Sequence, residues 1–355
     1  MTKVVLPSPQ GLLIAKTKPS VQRIKLRGTP EERAQQYGKQ GKQRIQKAVT
    51  FYADLCEKKG YNLQKQGQKY VEAIKNYNET YFEQLRIIAK HADVHTHSLI
   101  GVNARTEIKS LFENECTAVY APQTNMLGQN WDWGAKSEEH TVLLDVKREN
   151  KPDFTTLTEA GMLAKIGMNS AGLGMCLNAL RTYKERSGVP IHILLRSILD
   201  QETITQATEK IEQTEKDTAG NILIAQQNGE YIDIEIEHNK THKHKSLDPI
   251  YVHTNHYLAK DITKKDLDIH QSSIHRYKKA TEISKTYKGT KKDLLKILYN
   301  KDNEKYPILR EYYDHNLFGK YGTVLTVLMD LNNKTLYIAD NPHDTKKMKK
   351  ITYNW

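Results

Sequence analysis

The hydrophobic period of this chain changes once, and the change falls at a cysteine. Upstream of about residue 110 apolar residues recur at three- and four-residue steps, as in Tyr70, Ile74, Tyr77, Tyr81, Leu85 and Ile88; from Cys116 onward they alternate. A chain that is helical first and then rich in strands must bury one stripe of each helix and one face of each strand, so a layered α+β fold is expected. The stretch TPEERAQQYGKQGKQRIQKAVTFYADLCEKKG predicts a helix with Thr29 as N-cap, Pro30 at its first position and Gly60 as its stop. A second helix fits 66–90. Strands are expected at 117–121, 126–130, 141–147, 162–168 and 172–178, then helices at 190–200 and 203–215. Strands at 221–226, 230–236 and 250–254, helices near 273–299 and a hairpin turning at Asn332–Asn333 complete the pattern. That order predicts two sheets packed face to face with helices outside. Residues 238–246, rich in lysine and histidine, read as a solvated loop.

Composition excludes several functions. No apolar run approaches the ~18 residues of a membrane helix; IHILLRSIL is short and carries Arg196. The N-terminus lacks a signal-type apolar core and cleavage site, so a cytoplasmic protein without membrane contact is expected. The net charge of +12 allows nucleic acid, an anionic surface or phosphate-bearing molecules as partners. The lysines are scattered, however, and the densest group, KKMKK at 346–350, reads as a solvated tail, so no nucleic-acid function is expected. The three cysteines, Cys56, Cys116 and Cys176, are odd in number and lack CxxC spacing, which argues against a disulfide framework or a zinc site. Cys56, near Tyr52 and Leu55, and Cys176, in an alternating strand, read as core. His91, His95 and His97, like His238, His242 and His244, have no carboxylate partners at set spacings and read as solvent-facing. The glycines of AGLGMC precede no Lys-Ser/Thr helix, so no phosphate loop is present; neither cofactor nor metal is expected.

Cys116 remains, just ahead of GQNWDW at 128–133. Alternation places Asn130 and Asp132 on one face of that strand and Trp131 and Trp133 on the other. By itself the hexamer reads as an ordinary strand with one polar face. More of the chain joins it: LRGTPEERAQQYG at 26–38, FYADL at 51–55, NARTEI at 103–108, CTAVY, TEAGMLAKIGMNSAGLGMCLNAL at 158–180, SGVPIHILLRSILD at 187–200 and VHTNHYL at 252–258. In this order the stretches resemble the isopenicillin N acyltransferase-like family, which are N-terminal-nucleophile amidohydrolases.

The resemblance implies an αββα sandwich of the N-terminal-nucleophile hydrolase type with a helical N-terminal segment. It implies that Cys116 attacks the preceding carbonyl and that the chain divides. A light-chain segment, 1–115, and a catalytic heavy-chain segment, 116–355, would stay associated as one unit. The new α-amine of Cys116 would serve as its base. Asp132 matches the family's motif aspartate, which would hold the α-ammonium. Asn178 matches an oxyanion-hole asparagine of the broader choloylglycine-hydrolase-like group, and Asn255 another active-site asparagine. Two positions depart from the pattern: Glu115 stands where the family has glycine, and Lys320 where it has a late active-site arginine. A lysine keeps the charge but loses the planar fork. Arg310 fits another family arginine of structural character. The implied function is an amidohydrolase or acyltransferase acting on a small-molecule amide or an acyl-CoA thioester through an S-acyl-Cys116 intermediate. A basic chain suits acyl-CoA, whereas a penicillin substrate does not follow, because pocket loops set specificity. The rival expectation is a non-catalytic basic binding protein that keeps the fold without processing.

Overall fold

The computed structural model describes residues 21–108, 115–181, 188–216, 218–260, 270–286, 290–340, 342–343 and 348–355, with Glu115 described in its backbone alone. Two sheets face each other. The first has eight strands in the order β1 (Gln22–Leu26), β4 (Thr141–Val146), β5 (Phe154–Glu159), β6 (Ile166–Asn169), β7 (Leu173–Ala179), β8 (Thr218–Gln226), β9 (Tyr231–His238) and β10 (Lys240–His244). The second runs β11 (Tyr251–His253), β2 (Glu115–Ala121), β3 (Met126–Gly134), β13 (Gly319–Asp330), β14 (Thr335–Ala339) and β15 (Lys349–Thr352), with β12 (Tyr313–His315) pairing β13 beside this path. Within the described residues the pairings are antiparallel except β1 with β4.

Alternation along β2 assigns the layers. Cys116, Ala118 and Tyr120 enter the core between the sheets with Trp131, Trp133, Leu157, Met168 and Cys176. Val119 and Ala121 face the other way, onto Ile297 and Leu298. Those two belong to α10 (Lys291–Leu298), which with α9 (Gln271–Ser284) covers the outer face of the second sheet. Helices α1 (Pro30–Gln40), α5 (Glu79–Ala92), α7 (Ile191–Ile198) and α8 (Ile204–Gln213) cover the outer face of the first. The result is the expected α-β-β-α layering.

The expected helix from Thr29 begins there, with a full capping box to Glu32, but divides at Gly41 into α1 and α2 (Lys42–Lys58). The expected 66–90 helix is three: α3 (Leu63–Gln68), α4 (Val71–Tyr77) and α5, the last starting where Asn78 turns extended and its side chain accepts from Tyr81 N. The N-terminal segment is not purely helical, since β1 joins the first sheet. Strand β5 had no counterpart among the expected strands, and 162–168 is a strand from Ile166 onward. The stretch expected as a loop at 238–246 is instead edge strand β10 over Lys240–His244, where cross-strand bonding to β9 outweighs polar composition. Cys56 and Cys176 are buried in the core. No helix among the described residues is long and apolar enough to cross a membrane.

Candidate active site

Cys116 is the second residue of β2, with Trp131 of β3 directly opposite. On its other side the three-residue strand β11 pairs His253 with Ala118. Continuing that ladder would bring Asn255 opposite Cys116, but the chain turns away after His253. The Asn255 side chain takes over the lost ladder bond: its Oδ1 accepts the Cys116 N–H at 2.6 Å. Its Nδ2 donates to Ala179 O at 2.9 Å, at the end of β7 in the opposite sheet. Asn178, one residue earlier, reaches back across the gap with a long 3.4 Å bond from Nδ2 to His253 O. Its Oδ1 is buried with no hydrogen-bond partner among the described residues. Gln129 completes the tie between the sheets through Leu177 O at 2.5 Å and Leu177 N at 3.1 Å. The cysteine thus stands where the two sheets are laced together by side-chain amides.

The cation at the site is Arg276, from α9. It is fully buried; its guanidinium donates to Cys116 O at 2.7 Å, Thr117 Oγ1 at 2.8 Å and Asn255 Oδ1 at 3.1 Å. A single rigid fork therefore fixes Cys116 and the asparagine that grips it. Ser273, one helical turn before Arg276, takes the Asn255 N–H at 2.7 Å. Lys320 does not reach the cysteine, contrary to expectation. It sits near the start of β13, largely exposed, paired with Asp314 at 2.8 Å, and β13 meets Trp131 at Leu325, roughly 17 Å along the strand. The arginine that does reach the cysteine backbone, Arg276, comes from a helix in a different part of the chain, which an ungapped count back from Asp330 does not touch. Arg310 donates to Ser272 Oγ at 2.9 Å, the same hydroxyl that Arg276 Nε reaches at 3.3 Å, which fits a structural part.

Asp132 lies on β3 one residue past Trp131, fully buried. Burial first and then the Asp132 charge push the Cys116 thiol up, while Lys165, the backbone N–H of Asp132 and Arg276 pull it down; the upward push prevails. In this uncut chain the Cys116 nitrogen bonds to Asn255 rather than to Asp132. Behind Trp131 and Trp133 lies a second buried network that no expectation assigned. Glu159 takes Arg105 at 3.0 Å, Lys165 at 3.3 Å and the Tyr52 hydroxyl, which also accepts from Trp133 Nε1 at 3.1 Å. The Lys165 ammonium stands 3.2 Å from the centroid of the Trp131 ring, and Arg105 lies 4.4 Å from that of Trp133. Burial and the Arg105 charge lower the Lys165 pKa against the pull of Glu159. These residues lie within NARTEI and TEAGMLAK; a lone charged residue in a buried stretch was the available signal. No three of the described His, Cys, Asp and Glu residues are grouped as a metal site.

The arrangement offers a thiol, the backbone nitrogen of the same residue held by an amide oxygen, a buried arginine and asparagine amides around one point. The chain is 28% identical over 319 residues, 86% of its own length and 89% of the relative's, to the 40 kDa form of acyl-coenzyme A:6-aminopenicillanic-acid-acyltransferase of Emericella nidulans. Among solved structures it is similar to the Caenorhabditis elegans ortholog of N-acylethanolamine-hydrolyzing acid amidase (17% identity, 67% of this chain and 100% of that one, TM-score 0.47). It is also similar to a mutant of the conjugated bile acid hydrolase of Clostridium perfringens (12% identity, 68% and 97%, TM-score 0.47). The family model for acyl-coenzyme A:6-aminopenicillanic acid acyl-transferase matches residues 119–343, more than half of the chain, a span holding Asp132, Asn178, Asn255 and Arg276 and beginning just after Cys116. The chain belongs to the acyl-coenzyme A:6-aminopenicillanic acid acyl-transferase family.

Proposed function

We propose that the protein breaks or forms amide bonds through an S-acyl-Cys116 intermediate, and that its nucleophile matures by cleavage between Glu115 and Cys116. The observation that carries this reading is the grip on that junction, with Cys116 N on Asn255 Oδ1 at 2.6 Å and Cys116 O on Arg276 at 2.7 Å. Cleavage of the preceding bond would leave that nitrogen in place as an α-amine beside its own thiol. An α-amine of pKa ~7.7–8.0 takes the thiol proton near neutral pH and returns it to a leaving amine. While the nitrogen is still an amide it is no base, and the thiol is pushed up, so the uncut chain is the inert precursor.

In maturation Cys116 Sγ attacks the Glu115 carbonyl carbon, the C–N bond breaks and the nitrogen takes the thiol proton. Water then hydrolyses the thioester, leaving a Glu115 carboxylate and a free thiol. In turnover Sγ attacks the substrate carbonyl, and the side-chain amides of Asn178 and Asn255 donate to the oxyanion, each worth roughly 3–4 kcal/mol in comparable sites. Asp132 then has the α-ammonium to hold. The leaving group departs with the proton from the α-ammonium, and water or an acceptor amine resolves the acyl-cysteine. The substrate class is a small amide or an acyl-CoA thioester, which the net charge of +12 suits. Segments 1–115 and 116–355 stay together because β1 pairs β4 and the early helices complete a shared core. The reading places the enzyme in the cytoplasm, where its three free thiols stay reduced.

Alkylation tests the nucleophile. Iodoacetamide at neutral pH labels Cys116 of the mature protein first, and activity falls in step with that label. Burial raises the other two thiols, Cys56 to about 12. Activity that survives complete labelling of Cys116, or equally fast labelling of Cys56 or Cys176, refutes the assignment.

A further inference from the structure

On the outer face of the first sheet, well away from Cys116, a cavity of about 490 Å³ opens between the start of α1, the start of α5 and the loop 147–153 joining β4 to β5. Its wall carries four cations, Arg33, Arg148, Lys151 and Arg196, and three carboxylates, Glu32, Glu149 and Asp200. Two of the carboxylates are engaged within the wall itself and the third lies in solvent. Asp200 accepts from Arg148, Arg196, Lys151 and the Tyr81 hydroxyl. Glu32 closes the capping box of α1, its Oε2 taking the Thr29 N–H at 2.8 Å. Glu149 is exposed.

Arg33 is different. It is 9% exposed and donates to the carbonyl of Gly28, and no carboxylate of the described residues stands within ion-pair distance of it. Burial and the neighbouring Arg196 charge lower its guanidinium pKa more than the nearby but unpaired Asp200, Asp153 and Glu32 raise it. A buried cation short of a counter-charge is costly, and a bound anion would relieve it. Two helix N-termini add to the same field: α1, of eleven residues, contributes Thr29 and Pro30 to the wall, and α5, of fourteen, contributes Asn78, Thr80 and Tyr81. The rest of the wall is stiff, since Arg148 and Arg196 both stack on Phe154, at 4.8 and 4.5 Å from its centroid.

We propose that this cavity is a second binding site, for a phosphate-bearing small molecule, whose phosphate is held by Arg33, Lys151 and the first turns of α1 and α5. The volume suits a sugar phosphate or a mononucleotide, within the usual range of about 300–1,000 Å³ for small-molecule pockets. Because the cysteine lies between the sheets and the cavity outside them, occupancy does not require the nucleophile.

Calorimetric titration of the full-length protein with inorganic pyrophosphate, against sodium chloride of matched ionic strength, tests the site. The expected result is one saturable site per chain, weakened about tenfold or more by Arg33→Gln and about threefold by Lys151→Gln, and unchanged by Cys116→Ala. Should Arg33→Gln fail to fold, Lys151→Gln carries the test, because its side chain is 55% exposed. No saturable binding up to about 10 mM, far weaker than a built small-molecule site, would overturn the proposal. So would binding that the foldable Arg33 and Lys151 variants leave unchanged, or that Cys116→Ala abolishes.

Discussion

At the scale of single residues, the account turns on which cation serves Cys116. Arg276 spans Cys116 O, Thr117 Oγ1 and Asn255 Oδ1 with one planar group, and no lysine can reproduce that fork. Arg276→Lys therefore lowers turnover about tenfold or more, whereas Lys320→Ala, which removes an exposed pair with Asp314, leaves it within about twofold. Steady-state assays of the two purified variants check this, and a larger loss from Lys320→Ala would reverse the assignment. The contrast also explains what could be read from the sequence. Cys116, Asp132, Asn178 and Asn255 stand within or next to strands, where alternation and motif order place residues well, and the structure gathers them around one point. Arg276 stands in SSIHRYKK, a stretch whose other charged residues are lysines away from the core, so nothing in the local pattern marks it. Its one clue is Ser273 three residues earlier on the same face, which bonds the Asn255 backbone. Lys165, Glu159 and Arg105 stand out as charges in buried stretches, but their pairing was not legible, since a buried ion network is defined by contacts among distant segments.

Among the elements, apolar alternation rather than burial decided which strands were legible, since β2 and β3 are buried on both faces and were still expected. β2 alternates and was expected from its first residues. β5, FTTLTE, buries three threonines and a glutamate, so no apolar alternation marks it. Helix breaks were hidden for another reason: the apolar period continues across Asn78, while the backbone there turns extended so that α4 and α5 can lie on different parts of the core. The pair α3 and α6 (Thr96–Asn103) gives a sharp test of such packing. A Cβ on Gly67 would fall 1.8 Å from His97 O and 2.6 Å from Gly101 N, so the two helices touch backbone to backbone. Gly67→Ala should cost about 2 kcal/mol or more in denaturant unfolding, because neither backbone atom can swing aside as a side chain would. An unchanged unfolding midpoint would mean that the helices separate easily.

For the whole molecule, a layered fold with charges and imidazoles sealed between layers must respond to acid. Burial pushes His140 down to about 4 and His256 to about 3, from an ordinary 6.5. Both histidines are neutral in the folded chain over a range where the unfolded chain binds their protons. Their contribution is thus complete above pH 6.5 and is lost as pH falls towards 4 and then 3, at about 1.4 kcal/mol per pH unit for each. The melting temperature should fall through this window, and His140→Gln should flatten the fall; an identical slope in the variant would remove His140 from the account. His140 is the better probe, since its Nε2 is buried with no hydrogen-bond partner among the described residues and its ring packs 5.1 Å from Phe51, away from the Asn255 loop. The largest change expected of the molecule is its own division. Intact mass measurement of the purified, active wild type, with sequencing of the new N-terminus, addresses the central claim directly. The account predicts two polypeptides, one of them beginning Cys-Thr-Ala-Val at Cys116, and a Cys116→Ala chain that stays whole; a wild type that turns over substrate as one undivided chain would contradict it.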